Sequence, residues 1–136
     1  MTGAGSQRKG KAAERELAKL IEAQTGERCF RTPQSGAAKE LSAGDLLGPV
    51  FNGGHTLPKQ LWESKNHARS HFYEWWVQAS ENAESEGKTP VLAVRQPNAK
   101  WTATVPLEAW IEVCKQARAL EIELKVLNAG KPSLLP

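Results

Sequence analysis

The 136-residue chain is long enough for one sheet with flanking helices but short for two cores, so a single domain over 1–136 is expected. Its formal charge is only +3, from 18 Lys and Arg against 15 Asp and Glu, yet Arg8, Lys9, Lys11, Arg15 and Lys19 crowd the first twenty positions, a basic surface that suits a polyanionic partner or a plain solvated helix face. Cys29 and Cys114 are too few and too far apart for a disulfide framework or a zinc site, no apolar run approaches the roughly 18 residues that span a bilayer, and the opening MTGAGSQRKG lacks a signal peptide's apolar stretch, so a soluble cytoplasmic protein with no membrane partner is expected.

Residues 1–7 are small and polar and are expected to be disordered. A helical pattern then runs from Gln7 or Arg8 to about Thr25, with Ala13, Leu17, Leu20 and Ile21 as its buried stripe. At about 100° per residue Glu14 falls within roughly 20° of Ile21, at the rim of that stripe, whereas Glu16 falls among solvated residues. A carboxylate at such a rim wants a partner: Lys65, metal-bound water, or the solvent at the core's edge. Arg8, Lys11, Arg15 and Lys19 stand at i, i+3, i+7 and i+11, a stripe able to track a phosphate backbone. Arg28 to Thr32 reads as a short strand and PQSGAAKELSAG as a loop. Asp45 to Phe51 and Lys59 to Lys65 read as a hairpin around Asn52, Gly53 and Gly54.

Phe72, Trp75, Trp76, Ala79 and Ala83 mark one helical face that ends near Gly87. Adjacent helical positions differ by about 100°, so Trp75 and Trp76 cannot share one core, and one of them, with Tyr73, is available to a dimer interface. Val91 to Arg95 reads as a buried strand and Trp101 to Val105 as its hairpin partner. Pro106 opens a further helix whose apolar side is Leu107, Trp110, Ile111, Cys114 and Ala117, which makes Cys114 a packing residue rather than a nucleophile. Leu120, Ile122, Leu124 and Val126 then alternate with Glu121, Glu123 and Lys125 as a half-buried strand would, with another subunit as its partner, leaving 120–136 as an extension of undefined role. The order α β β β α β β α β describes a mixed α/β domain.

The chemistry lies in Glu63-Ser64-Lys65. Side chains on a strand alternate, so Glu63 and Lys65 share one face and put a carboxylate and an ammonium on one patch. If the segment starting at Asp45 lies beside this strand, Asp45 and Glu63 with a backbone carbonyl offer the oxygen ligands that magnesium prefers. Phosphodiester hydrolysis needs that combination: a cation against charge building on phosphate, a positioned water, and a group such as Lys65 to orient it. A bare D…ExK is common on exposed strands and weak alone; Glu14 beside the basic stripe is the third acid that strengthens it. His67 and His71 stand at i, i+4, but no third ligand completes a zinc set; DNA contact or simple exposure in a loop accounts for them better.

These residues together resemble the archaeal-type Holliday junction resolvases, compact members of the PD-(D/E)XK nuclease superfamily. RKGKAAERE resembles the family's RKGxxxER start and puts Glu14 at its helical glutamate. RTPQSG resembles the R-x-x-x-S-G loop, with Ser35 at its active-site serine. Gly44-Asp45 corresponds to Pro-Asp and Glu63-Ser64-Lys65 to E-x-K, while PVLAVR resembles the strand after the second helix. The resemblance covers roughly residues 7 to 105. Gly44 replaces the usual proline, and FNGGHTLPK lengthens the segment between the two carboxylates; neither removes a catalytic group. Gln78 is the candidate for the family's glutamine on the following helix, and His67 a further possibility near DNA.

The resemblance implies a restriction-endonuclease-like α/β fold, a central mixed sheet flanked by helices, in a homodimer that cuts a four-way DNA junction symmetrically with Mg²⁺ or Mn²⁺ and no small-molecule cofactor. Asp45, Glu63 and the Ser64 carbonyl would hold the metal, Lys65 act on the water, Glu14 and Ser35 complete the site, and Arg8, Lys9, Lys11, Arg15 and Arg31 grip phosphates. The alternatives are a nuclease of the same superfamily with another DNA target, and a non-catalytic DNA-binding module of the same fold; retention of Glu14, Asp45, Glu63 and Lys65 speaks against the latter.

Overall fold

Strands β3 (Gln60–Asn66) and β4 (Thr89–Arg95) lie parallel, Gln60 beside Thr89 and Asn66 beside Arg95. Parallel neighbours need a crossover, and helix α2 (Phe72–Ser85) supplies it. Strand β5 (Thr102–Thr104) returns antiparallel to β4, Leu92 facing Thr104 and Val94 facing Thr102. The result is a mixed sheet of order β3-β4-β5. The computed structural model describes residues 4–33, 42–54 and 58–130.

Strand periodicity sorts the two faces. Trp62, Ala93 and Arg95 point toward helix α1 (Ala4–Thr25), where Leu17 and Ala18 meet Cys29, Leu46, Phe51 and Ala93 in the core, and Arg95 closes a bidentate pair with Glu16 at 3.0 and 2.7 Å. Leu61, Glu63 and Leu92 point the other way, to α2, whose buried residues are Trp75, Ala79 and Ala83. Two alanines at i, i+4 on that face let the helix sit close to the sheet, so Leu61 and Leu92 are enclosed to 2% and 0% exposure. Truncating Leu92 to alanine is expected to cost about 2–5 kcal/mol, because the tightly covered site cannot collapse around the void. Urea denaturation reads that loss directly.

The expected hairpin from Asp45 to Lys65 is not what forms. Strand β2 (Leu46–Leu47) pairs instead with β1 (Phe30–Arg31), Phe30 beside Leu47 and Arg31 beside Leu46. Pro49 has no N–H for a ladder, and it opens a 3-10 turn over Pro49–Phe51 where a strand was expected. At Gly48, with φ +155°, a Cβ would run into the Arg28 carbonyl, so only glycine lets β2 approach the chain entering β1. Helix α1 also starts earlier than the sequence indicates, at Ala4 rather than Gln7 or Arg8.

Contacts group the chain into two compact units, 1–106 and 107–136. The second contains helix α3 (Leu107–Ala129), none of whose residues is buried. The strand expected over Leu120 to Val126 is therefore corrected to helix. A four-position alternation cannot outweigh a stretch of Ala, Leu, Glu and Lys with no Gly or Pro between Pro106 and Gly130. Among the described residues no helix is long and apolar enough to cross a membrane.

Candidate active site

Strand β3 leaves one edge unpaired by any strand of its sheet, and Asp45 occupies it. The Asp45 N–H donates to the Trp62 carbonyl at 2.7 Å and the Asp45 carbonyl accepts from the Thr32 N–H at 2.8 Å. One carboxylate oxygen, Oδ2, then accepts from the Ser64 N–H at 2.7 Å. A side chain thus continues the hydrogen bonding that a neighbouring strand would have made, and this fixes the carboxylate beside Glu63-Ser64-Lys65. Gly44 permits the approach: a Cβ there would meet Leu61 Cγ at 3.0 Å and the Trp62 carbonyl at 3.2 Å.

Glu63 is 5% exposed on the α2 face of β3. Asn82 of α2 donates from Nδ2 to Glu63 Oε1 at 3.0 Å, and the Asp45 carboxylate is within hydrogen-bonding reach. Burial, then the Asp45 charge, push the Glu63 carboxyl up to about 8, against the opposing pull of Asn82 and Lys65. Glu14 approaches from α1. Arg31 donates from Nε to its Oε2 at 3.0 Å, yet burial and Asp45 together still raise its carboxyl above the ordinary carboxylate range. Asp45 is the meeting point, close enough for its charge to act on both Glu14 and Glu63.

The arrangement brings Glu14, Asp45, Glu63 and Lys65 into one electrostatic neighbourhood. Arg31 belongs to it as well, as the partner of Glu14; the Glu14–Lys65 pairing considered from sequence does not form in this arrangement. The Arg31 Nη2 is buried without a hydrogen-bond partner among the described residues. Ser64 contributes its N–H to Asp45. Ser35 lies outside the described residues. Along α1, Arg8, Lys9, Arg15 and Lys19 are exposed and Lys11 is half-buried. Gln78 is exposed; the residue that reaches Glu63 is Asn82, one turn further on. Its signal in the sequence was a polar side chain next to the buried Ala79 and Ala83 on a helix following E-x-K. His67 is exposed and tilts over Trp75 at 5.2 Å between ring centroids, with His71 edge-on to the same ring at 5.9 Å.

Among the described residues no three of His, Cys, Asp and Glu converge closely enough to enclose a metal ion. The acidic pair of Asp45 and Glu63 is what the site offers, and a hard divalent ion held by one or two carboxylates, a carbonyl and solvent needs no more. The pair fits such an ion on electrostatic grounds: two carboxylates in contact repel one another, and a divalent cation is the partner that would offset that repulsion.

A protein-family model described as "Phage putative PDDEXK endonuclease" matches residues 5–129. No curated protein and no solved structure matches the chain.

Proposed function

Because the chain belongs to this family of PDDEXK endonucleases, a superfamily whose members generally use divalent metals and act on DNA, we propose that it is a structure-specific endonuclease that resolves four-way DNA junctions as a homodimer, using Mg²⁺ with Mn²⁺ able to substitute. The observation that carries the reading is the placement of Asp45 at the β3 edge, in reach of Glu63 and beside Glu14. The junction preference rests on the ordered motifs RKGKAAERE, RTPQSG, Gly44-Asp45 and Glu63-Ser64-Lys65, and on the fit of a two-fold enzyme to a nearly two-fold substrate.

Asp45, Glu63 and the Ser64 carbonyl would hold the divalent ion. Bound there, such an ion would supply charge neutralisation at the scissile phosphate and a lowered pKa for the attacking water. Lys65, on the Glu63 face, orients that water and stabilises the charge that develops on the phosphate oxygens. The Ser64 N–H keeps Asp45 aimed, and Asn82 holds Glu63 in one rotamer with its charge favoured. Arg31 steadies Glu14, and Arg8, Lys9, Lys11 and Arg15 supply phosphate contacts along α1. Ser35 is proposed to complete the site.

Incubation with Mg²⁺ and either a four-way junction or a matched linear duplex tests the proposal. Symmetric paired nicks confined to the junction are expected. Cleavage of linear duplex at a fixed sequence would replace the junction with another target, and tight binding without cleavage under Mg²⁺ and Mn²⁺ would replace the enzyme with a binding module.

Asn82→Ala provides a finer check. Removing a bond that favours the charged form of Glu63 raises its carboxyl further, so metal affinity and cleavage at pH 7.5 are expected to fall about 10–100-fold. The alkaline shift of the cleavage profile identifies the cause, since a merely loosened fold would lower activity at every pH alike.

A further inference from the structure

Along α3, Trp110, Val113, Ala117, Leu120, Leu124 and Leu127 recur at alternating spacings of three and four, the repeat of a coiled-coil seam. All six are exposed in the single chain, Trp110 to 56%, Leu120 to 59% and Leu124 to 52%. Ile111, Ile122 and Val126 lie off this line. The seam is about 26 Å long and about 10 Å wide, on the order of 260 Å² in projection, within the few hundred Å² beyond which monomers rarely expose contiguous apolar surface. We propose that α3 pairs antiparallel with α3 of a second copy of this chain through the Trp110–Leu127 seam. This deepens the homodimer of the proposed function but rests on α3 alone.

The seam is complementary to itself, which commits it to a second copy. A two-fold axis between Arg118 and Ala119 sets Trp110 opposite Leu127, Val113 opposite Leu124 and Ala117 opposite Leu120. Every apolar position then meets another, and the smallest residue meets a large one at the centre. A parallel pair would instead stack Ala117 on Ala117, leaving a void, and Trp110 on Trp110. The antiparallel register also sets Glu121 beside Cys114 and Glu123 beside Gln116 of the second copy, so no like charges meet at the flanks. Opposed helix dipoles add to the preference.

The seam falls short of the roughly 800 Å² per partner of a standard interface, so association is expected to be concentration-dependent. Light scattering on the full-length protein, from about 1 to 200 µM, should show the mass rising toward twice the 14.9 kDa of one chain. Leu120→Glu should hold it at one chain mass with its helical circular dichroism retained, while the off-seam Ile122→Glu still dimerises. One chain mass throughout for the unaltered protein, or a Leu120→Glu variant that dimerises like it, overturns the proposal. Cross-linking reads the register in a Cys114→Ser background: a mixture of Val113→Cys and Leu124→Cys chains should form a disulfide-linked heterodimer. Val113→Cys alone should not, because its two copies would stand about 16 Å apart along the axis, beyond the ~7 Å Cα limit of a disulfide; a cross-linked Val113→Cys homodimer overturns the antiparallel pairing. Oligomeric mass reports the seam and junction cleavage reports the catalytic site, so failure of one leaves the other separately judged.

Discussion

Replacing Asp45 with asparagine is expected to lower cleavage by about 10³-fold or more while leaving junction binding intact or slightly tighter. The substitution spares the fold. Asparagine keeps a side-chain oxygen for the Ser64 N–H, and the backbone bonds to Trp62 and Thr32 are untouched. What disappears is one negative charge at the point where Glu14 and Glu63 meet, and with it the means of holding a divalent cation. Both neighbouring carboxyls should fall back toward the ordinary range, since the Asp45 charge raises each of them. Single-turnover cleavage, with binding measured separately in Ca²⁺, distinguishes this outcome from unfolding. Lys65→Ala should likewise lose cleavage, by about 10²–10⁴-fold, and keep binding; if both variants cut normally, the active site lies elsewhere.

The second large effect concerns stability, and its sign reverses with metal. Without metal, the Glu63 carboxyl titrates at about 8 in the folded chain against an ordinary value of 4.5. The folded state therefore binds the proton more tightly than the unfolded one. The stability contributed by that protonated group is complete below about pH 4.5, drains away as pH rises, and is gone above pH 8. Glu63→Gln fixes the neutral state and can still accept from Asn82. In metal-free buffer at pH 9 it should melt several degrees above the unaltered protein, a gain on the order of 1–3 kcal/mol, and near pH 4 the two should coincide. Adding Mg²⁺ or Mn²⁺ at pH 8 should stabilise the unaltered protein and leave Glu63→Gln unmoved, so the order of melting temperatures narrows or inverts. Thermal melts across pH, with and without metal, measure all of this. An unaltered protein whose metal-free stability relative to Glu63→Gln does not change with pH would show that Glu63 is not the buried, proton-hungry acid described above.

Local periodicity carried much of the site into view, and long-range pairing carried the rest out of it. The 100° helical step separated Glu14, at the rim of the core, from Glu16, which the fold ties to Arg95 on the surface of α1. Strand alternation put Glu63 with Lys65 and against Ser64. Neither rule can say which distant segment arrives at a strand's edge. Asp45 was expected as part of a hairpin strand, whereas it reaches β3 through one backbone bond and its own carboxylate while the two residues after it pair with β1. The same blindness hid Arg31, which sequence reading assigned to phosphate and the fold sets against Glu14, 17 positions away. Asn82 was missed for a smaller reason: the register of a helix against a sheet is set by how closely Ala79 and Ala83 let it dock, and one turn separates the exposed Gln78 from the residue that reaches Glu63. In α3 the alternation of Leu120, Ile122, Leu124 and Val126 imitated a strand because the helix is apolar on more than one side.

The pairing of Asp45 with Glu63 as a cation site is tested most directly by growing crystals in Mn²⁺ and computing the anomalous difference map. A single peak bridging the Asp45 and Glu63 carboxylates, with the Ser64 carbonyl in its coordination sphere and lost in Asp45→Asn crystals, is the predicted result. A manganese peak that avoids both carboxylates, or none there while the crystals hold the ion elsewhere, would contradict it.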